Sequence, residues 1–83
     1  MKVTLRYFAS IREAMGASSE VLETNAATLG ELRDDLLSRQ GAHTQALARG
    51  KAVRLALNQV MSDESALLLD GCEVAFFPPV TGG

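Results

Sequence analysis

Hydrophobic and polar residues alternate over residues 2–8, with Val3, Leu5 and Tyr7 on one side and Lys2, Thr4 and Arg6 on the other. A period of two predicts a half-buried strand. Ser10 then precedes Glu13 by the spacing of a capping box, and Gly16 can close a short helix whose apolar face is Ile11, Ala14 and Met15. Residues 19–24 read as a second strand, with Val21 and Leu22 as its apolar positions. Thr28 and Glu31 repeat the capping spacing and open a longer helix. Its Leu29, Leu32, Leu36 and Leu37 recur at helical spacing and are expected to face the core. Glu31, Arg33, Asp34, Asp35 and Arg39 are expected on its wet side, with Gly41 as the stop. Residues 43–50 are polar and small, an irregular turn or one loose helical turn. Alternation returns over residues 51–58, where Val53, Leu55 and Leu57 oppose Arg54, Ala56 and Asn58. Asn58-Gln59 is a tight-turn signal leading into a short strand at Val60-Met61. Asp70-Gly71 marks another turn, residues 73–77 form a β-branched and aromatic strand, and Pro78-Pro79 ends it.

The order is strand, short helix, strand, long helix, strand, short strand, strand. It predicts an α+β fold, a mixed sheet with one main helix packed on one face. This is the β-grasp, or ubiquitin-like, arrangement, with the last strand beside the first at the sheet centre. Leu29, Leu32 and Leu36 would then pack on Val3, Leu5, Val53, Leu55 and Val74. The expected division is a β-grasp domain over residues 1–77 and an extended, flexible tail over residues 78–83.

Composition narrows the function. An 83-residue chain is one domain, and a hydrophobic fraction of 47% suffices for a core. Net charge is −2 with scattered basic residues, so nucleic acid is not an expected partner, and with no apolar span long enough to cross it a membrane is not expected either. The one cysteine, Cys72, allows no internal disulfide or thiolate cluster and fits a cytoplasmic protein. Cys72 follows a turn glycine and is expected at the surface or half-buried. His43 has no second ligand near it in sequence and is read as a solvated loop residue. Asp34 and Asp35 are adjacent on a helix and cannot face one substrate together. No triad, phosphate loop or metal set is present, so neither a resident metal nor a bound cofactor is expected.

The informative segment is Pro78-Pro79-Val80-Thr81-Gly82-Gly83. The prolines favour an extended exit from the sheet. Fully extended, the segment spans roughly 20 Å, enough to reach into another protein's active site. The glycines lack Cβ and allow close approach in a narrow channel. Two terminal glycines alone are also what a frayed end or an engineered scar looks like. Here they follow a stiff Pro-Pro spacer and an aromatic strand, in a small chain with β-grasp strand order.

The run from Asp70 to Gly83, Asp-Gly-Cys-Glu-Val-Ala-Phe-Phe-Pro-Pro-Val-Thr-Gly-Gly, resembles the end of the small, sulfur-carrier subunit of molybdopterin synthase. Tyr7-Phe8-Ala9 with Arg12-Glu13, the segment leading to Asn58, and the overall length resemble that family too; the middle of the chain matches weakly. The resemblance implies that an adenylating enzyme of the ubiquitin-activating type uses ATP to activate Gly83. A sulfurtransferase then supplies sulfur for a thiocarboxylate. The tail enters the large, catalytic subunit and passes sulfur to a cyclic pyranopterin, building the dithiolene of the molybdenum cofactor. The family assembles as two large and two small subunits. Carried over, Gly83 bears the sulfur and Gly82 gives clearance. Pro78, Pro79, Val80 and Thr81 line the partner's channel. Of Phe8, Phe76 and Phe77, at least one adds to a contact patch. Arg12 either pairs with an acid on the partner or is simply solvated. The chain itself would not be an enzyme. Three readings stay open beside this one: a sulfur carrier for thiamine thiazole synthesis, a ubiquitin-like modifier joined to lysines through Gly83, and a plain interaction domain with an inert tail.

Overall fold

The computed structural model describes residues 1–39 and 41–78. The elements are β1 (Lys2–Tyr7), α1 (Ala9–Met15), β2 (Ser19–Glu23), α2 (Leu29–Ser38), α3 (Ala42–Ala46), β3 (Arg54–Leu57), β4 (Val60–Ser62) and β5 (Glu73–Phe77). The sheet order is β2-β1-β5-β3-β4, so the last strand lies beside the first at the centre, as expected. β1 and β5 run parallel, with Leu5 opposite Val74 and Tyr7 opposite Phe76; the other pairs are antiparallel. Val74, Ala75 and Phe76 are buried in succession, as a central strand allows: Val74 and Phe76 join the core, and the small Ala75 is covered on the other face by its neighbours on β1 and β3. Asn58 and Gln59 take φ of 49° and 70°, two left-handed residues that join β3 to β4 in the short turn the sequence predicts.

The core is one cluster. Leu29, Leu32 and Leu36 of α2 are fully buried with Val3, Leu5, Leu55, Val74 and Phe76 of the sheet; Leu37 and Val53 pack against it half-buried. The start of α2 is the expected capping box. Thr28 Oγ1 accepts from the Glu31 N–H at 3.1 Å, and Glu31 Oε1 accepts in return from the N–H of Ala27 at 3.0 Å. Thr28→Ala leaves the first donor bare and should cost about 1 kcal/mol, readable as a lowered midpoint in chemical denaturation.

The start of α1 departs from expectation. The helix begins at Ala9, its N-cap is Phe8, and no side chain caps it. Ser10 already lies inside the first turn. Tertiary structure sets this boundary: the Phe8 N–H continues the parallel ladder to the Phe76 carbonyl at 3.3 Å, and the Phe8 carbonyl at once accepts from Ile11 and Arg12. Ala9 makes the corner at φ 52°. Gly16 closes the helix at φ 76°, a conformation favouring glycine, with its N–H on the Arg12 carbonyl. Ile11 is buried and Met15 half-buried, whereas Ala14 is exposed.

Arg33 is the largest correction. It is 4% exposed instead of solvated. It lies four residues after Leu29, on the inward side of α2. Its guanidinium donates to the carbonyls of Leu47 and Ala48 at 2.8 Å and of Lys51 at 3.1 Å, and pairs with Glu64 at 3.0 Å. One side chain thus satisfies the loop after α3. Outside it, Arg49 bridges Glu64, Asp34 and the Gly30 carbonyl. Gly30 has no room for a Cβ without pressing on residue 64, whose side-chain and backbone atoms would lie 3.1–3.2 Å away. Asp35 is half-buried, accepting from Thr24 Oγ1 and pairing with Arg39. His43 is also half-buried, with Nε2 at 3.2 Å from Glu20. Cys72 is buried at the entry to β5, and Ala56, expected among polar neighbours, is buried.

Candidate functional site

Because β1 and β5 are parallel neighbours, they end at the same pole of the molecule. Phe8 follows β1 and Phe77 ends β5, so the two rings meet there, stacked with centroids 4.6 Å apart and planes 10° from parallel. Phe8 is 37% exposed and Phe77 half-buried, so the pair offers apolar surface to solvent. Such a pair adds about 0.5–1.5 kcal/mol beyond the area it buries, which holds the rings in place. The Arg6 guanidinium lies 5.9 Å from the centroid of the Phe8 ring, on the same face by strand alternation, and reaches Glu73 at 3.7 Å. Arg54 stands opposite Phe77 across the β3–β5 ladder. Along that face, Ala75 and Ala56 form a row with Met61, which is 54% exposed.

Pro78 follows directly and is half-buried. It helps line a cavity of about 140 Å³ formed by Ser10, Ile11 and Ala14 of α1, Ala46 of α3, and Lys51 and Val53 before β3. The chain therefore leaves the sheet between an exposed aromatic stack and a mostly apolar hollow.

The structure sorts the expected site residues. Phe8, Phe77 and Pro78 come together at this pole. Phe76 does not: it is fully buried and stacked on Tyr7 at 5.9 Å, so it belongs to the core and is no contact for a partner. The alternation that separates adjacent strand residues settles the pair, with Phe76 inward and Phe77 outward. Arg12 is exposed on α1 with no ion pair among the described residues. Pro79, Val80, Thr81, Gly82 and Gly83 lie outside the described residues. Sequence reasoning passed over Arg6, Lys51 and Arg54. The phase of β1 offered one signal, since Phe8 shares the side of Lys2, Thr4 and Arg6.

Among the described residues, Glu73 at this pole pairs with Arg6, and no hydrogen bond joins Ser10 to Lys51 in the cavity wall as a nucleophile to a base. Tyr7 is the nearest titratable aromatic; burial, and then the charge of Glu20, push its phenol pKa up, so it stays protonated. Among the described residues, no group of His, Cys, Asp and Glu could hold a metal, and no helix is long and apolar enough to cross a membrane.

One main helix laid across a mixed sheet with a parallel central pair defines a ubiquitin-like β-grasp protein. The chain belongs to the ThiS family, whose pattern matches residues 5–83. It is 38% identical over 77 residues to the molybdopterin synthase sulfur carrier subunit of Haemophilus influenzae, covering 93% of this chain and 94% of that one. Among solved structures it is similar to SAMP1 of Haloferax volcanii, a small archaeal modifier protein, with a TM-score of 0.78, 25% identity and all of both chains covered. It is also similar to a chain in the complex of subunits 1 and 2 of molybdopterin-converting factor from Helicobacter pylori, with a TM-score of 0.67, 29% identity and all of both chains covered.

Proposed function

We propose that this chain is the sulfur-carrier subunit of a molybdopterin synthase. The observation that carries the reading is near-full-length similarity to a subunit of that name, in a chain that contains the run from Glu73 to Gly83. The arrangement at the pole supports it: an aromatic stack and Pro78 stand at the base of a tail that continues to Gly82 and Gly83.

The chemistry assigned to the tail is as follows. The carboxylate of Gly83 is a poor acyl donor. An adenylating enzyme joins it to AMP from ATP, expelling pyrophosphate, and the mixed anhydride is then attacked by the persulfide of a sulfurtransferase. AMP departs, leaving an acyl disulfide, and a second thiol then attacks the donor's sulfur, forming a disulfide with it and releasing the thiocarboxylate. Beyond Pro78, five residues span about 17 Å when extended, so the sulfur reaches a buried centre while the domain stays outside. In the large subunit the thiocarboxylate sulfur attacks a cyclic pyranopterin to form an acyl thioester, and water hydrolyses the carbon–sulfur bond on the carrier side, leaving the sulfur on the pterin and regenerating the Gly83 carboxylate. Catalytic groups belong to that subunit, and two loaded carriers serve one dithiolene. Phe8, Phe77 and Pro78 contact the partner's surface, and Pro79, Val80, Thr81 and Gly82 occupy its channel.

The test is single turnover. Thiocarboxylated protein is mixed with the large subunit and cyclic pyranopterin monophosphate. Appearance of the dithiolene product, with stoichiometric return of the carrier to carboxylate, is expected. A carrier that keeps its sulfur there, yet releases it to a thiazole-forming enzyme, would reassign the pathway. The likeness to a small archaeal modifier protein favours one second reading, attachment of Gly83 to target lysines, which would appear as adducts on other proteins.

A further inference from the structure

Basic side chains are distributed unevenly in their pairing. Around α2 and the loop after α3, Arg33, Arg39 and Arg49 are each neutralised, by Glu64, by Asp35, and by Asp34 with Glu64, whereas Arg12 on α1 and Lys2 at the far end of β1 make no ion pair among the described residues. At the tail's root two more join them. Arg54 stands across the ladder from Phe77, and Lys51 shares the cavity wall with Pro78. Both are exposed, and neither makes an ion pair among the described residues. Arg6, beside Phe8, has only Glu73 at 3.7 Å, and its side chain is 45% exposed. In a chain of net charge −2, three cations therefore surround the apolar spot from which the tail departs. An exposed cation adds little to fold stability, so these positions are free to serve a partner.

We infer that Arg6, Lys51 and Arg54 form a cationic collar around Phe8, Phe77 and Pro78, which steers the tail onto a partner surface that is apolar at its centre and acidic at its rim. The inference rests on the sulfur-carrier reading and commits to the large synthase subunit as that partner. Complementary charges at a rim act on encounter, while the aromatic stack at the centre governs residence. The collar therefore belongs to the association rate. It is suited to a carrier that must dock, unload and leave repeatedly.

The experiment measures association of the full-length protein with the large synthase subunit by stopped flow, from low to high salt. Arg54→Glu and Lys51→Glu test the collar, and Lys2→Glu is the control. Lys2 makes the same charge change at the other end of β1, about 13 Å from Arg6 along the strand. Arg6→Glu is added where thermal unfolding shows an intact fold, since Arg6 also touches Phe8. The wild-type rate should fall as salt rises. At low salt each collar reversal should slow association by about 10-fold or more, converging with wild type at high salt, while Lys2→Glu changes it less than about 2-fold. Equal slowing by Lys2→Glu would reduce the effect to net charge and overturn the collar. So would association insensitive to both salt and the collar variants. If the wild-type protein does not bind the large subunit, the sulfur-carrier reading fails, and the collar with it.

Discussion

Replacing Arg33 by alanine should destabilise the domain by about 3–5 kcal/mol, because the substitution leaves three loop carbonyls without their buried donor and removes one of Glu64's two cationic partners. For a domain of this size that is a fall in thermal midpoint on the order of 15 °C or more. Arg33→Met keeps most of the packing volume but none of the donors, so it should recover only part of the loss. Arg49→Ala, removing an exposed partner of the same Glu64, should cost under about 1 kcal/mol. Chemical denaturation of the three variants checks the order; equal costs for Arg33→Ala and Arg49→Ala would refute the burial argument. Acid should weaken the same network. The Arg49 hydrogen bond, with Arg33 behind it, holds the Glu64 carboxyl below its ordinary value. Its contribution is complete above the unfolded pKa of about 4.3 and fades as pH falls through the lower folded value.

The second large effect falls on the tail. Deleting Gly83 should lower sulfur loading by at least about 10²-fold, since the acyl carbon would sit one residue short of the activating centre. Gly82→Val should act similarly, by placing a branched side chain where the channel must close on the backbone. Neither change should shift the thermal midpoint by more than about 1 °C, because the buried core is made within residues 3–76. A large loss of stability on deletion would instead assign the end a structural role.

Much of the fold was readable from periodicity. The alternation in β1, the leucine stripe of α2 and the capping pair Thr28–Glu31 are local signals, and each element stands where its pattern put it. What escaped depended on distant partners. Arg33 lies at the right helical phase to be buried, but its charge argued for solvent. The carbonyls that receive it belong to residues 47–51, which nothing near Arg33 announces. Ser10 was passed over as a cap because the ladder from Phe8 to Phe76 starts the helix earlier. Cys72 is buried beside β1, where its carbonyl accepts from Thr4, and His43 turns toward Glu20 of β2, arrangements with no periodic trace.

The candidate site divides in the same way. Pro78 was legible from its type and its place at a strand end, whereas the choice between Phe76 and Phe77 stayed open in the sequence and is made by the pairing of β5 with β1 and β3. The stack of Phe77 on Phe8 was not legible either, because it depends on two strands far apart in sequence lying parallel with their ends level. That register also places Arg6 beside the ring, and the antiparallel pairing with β3 adds Arg54.

A carrier is loaded with sulfur at Gly83 by one protein and unloaded inside another. Intact-mass spectrometry reads the loading after the protein is incubated with ATP, an adenylating enzyme and a persulfide donor. One sulfur in place of one oxygen, mapped to the C-terminal residue and absent without ATP, is the expected result. An unchanged mass under every such combination, or a product found only as lysine adducts of other proteins, would contradict it.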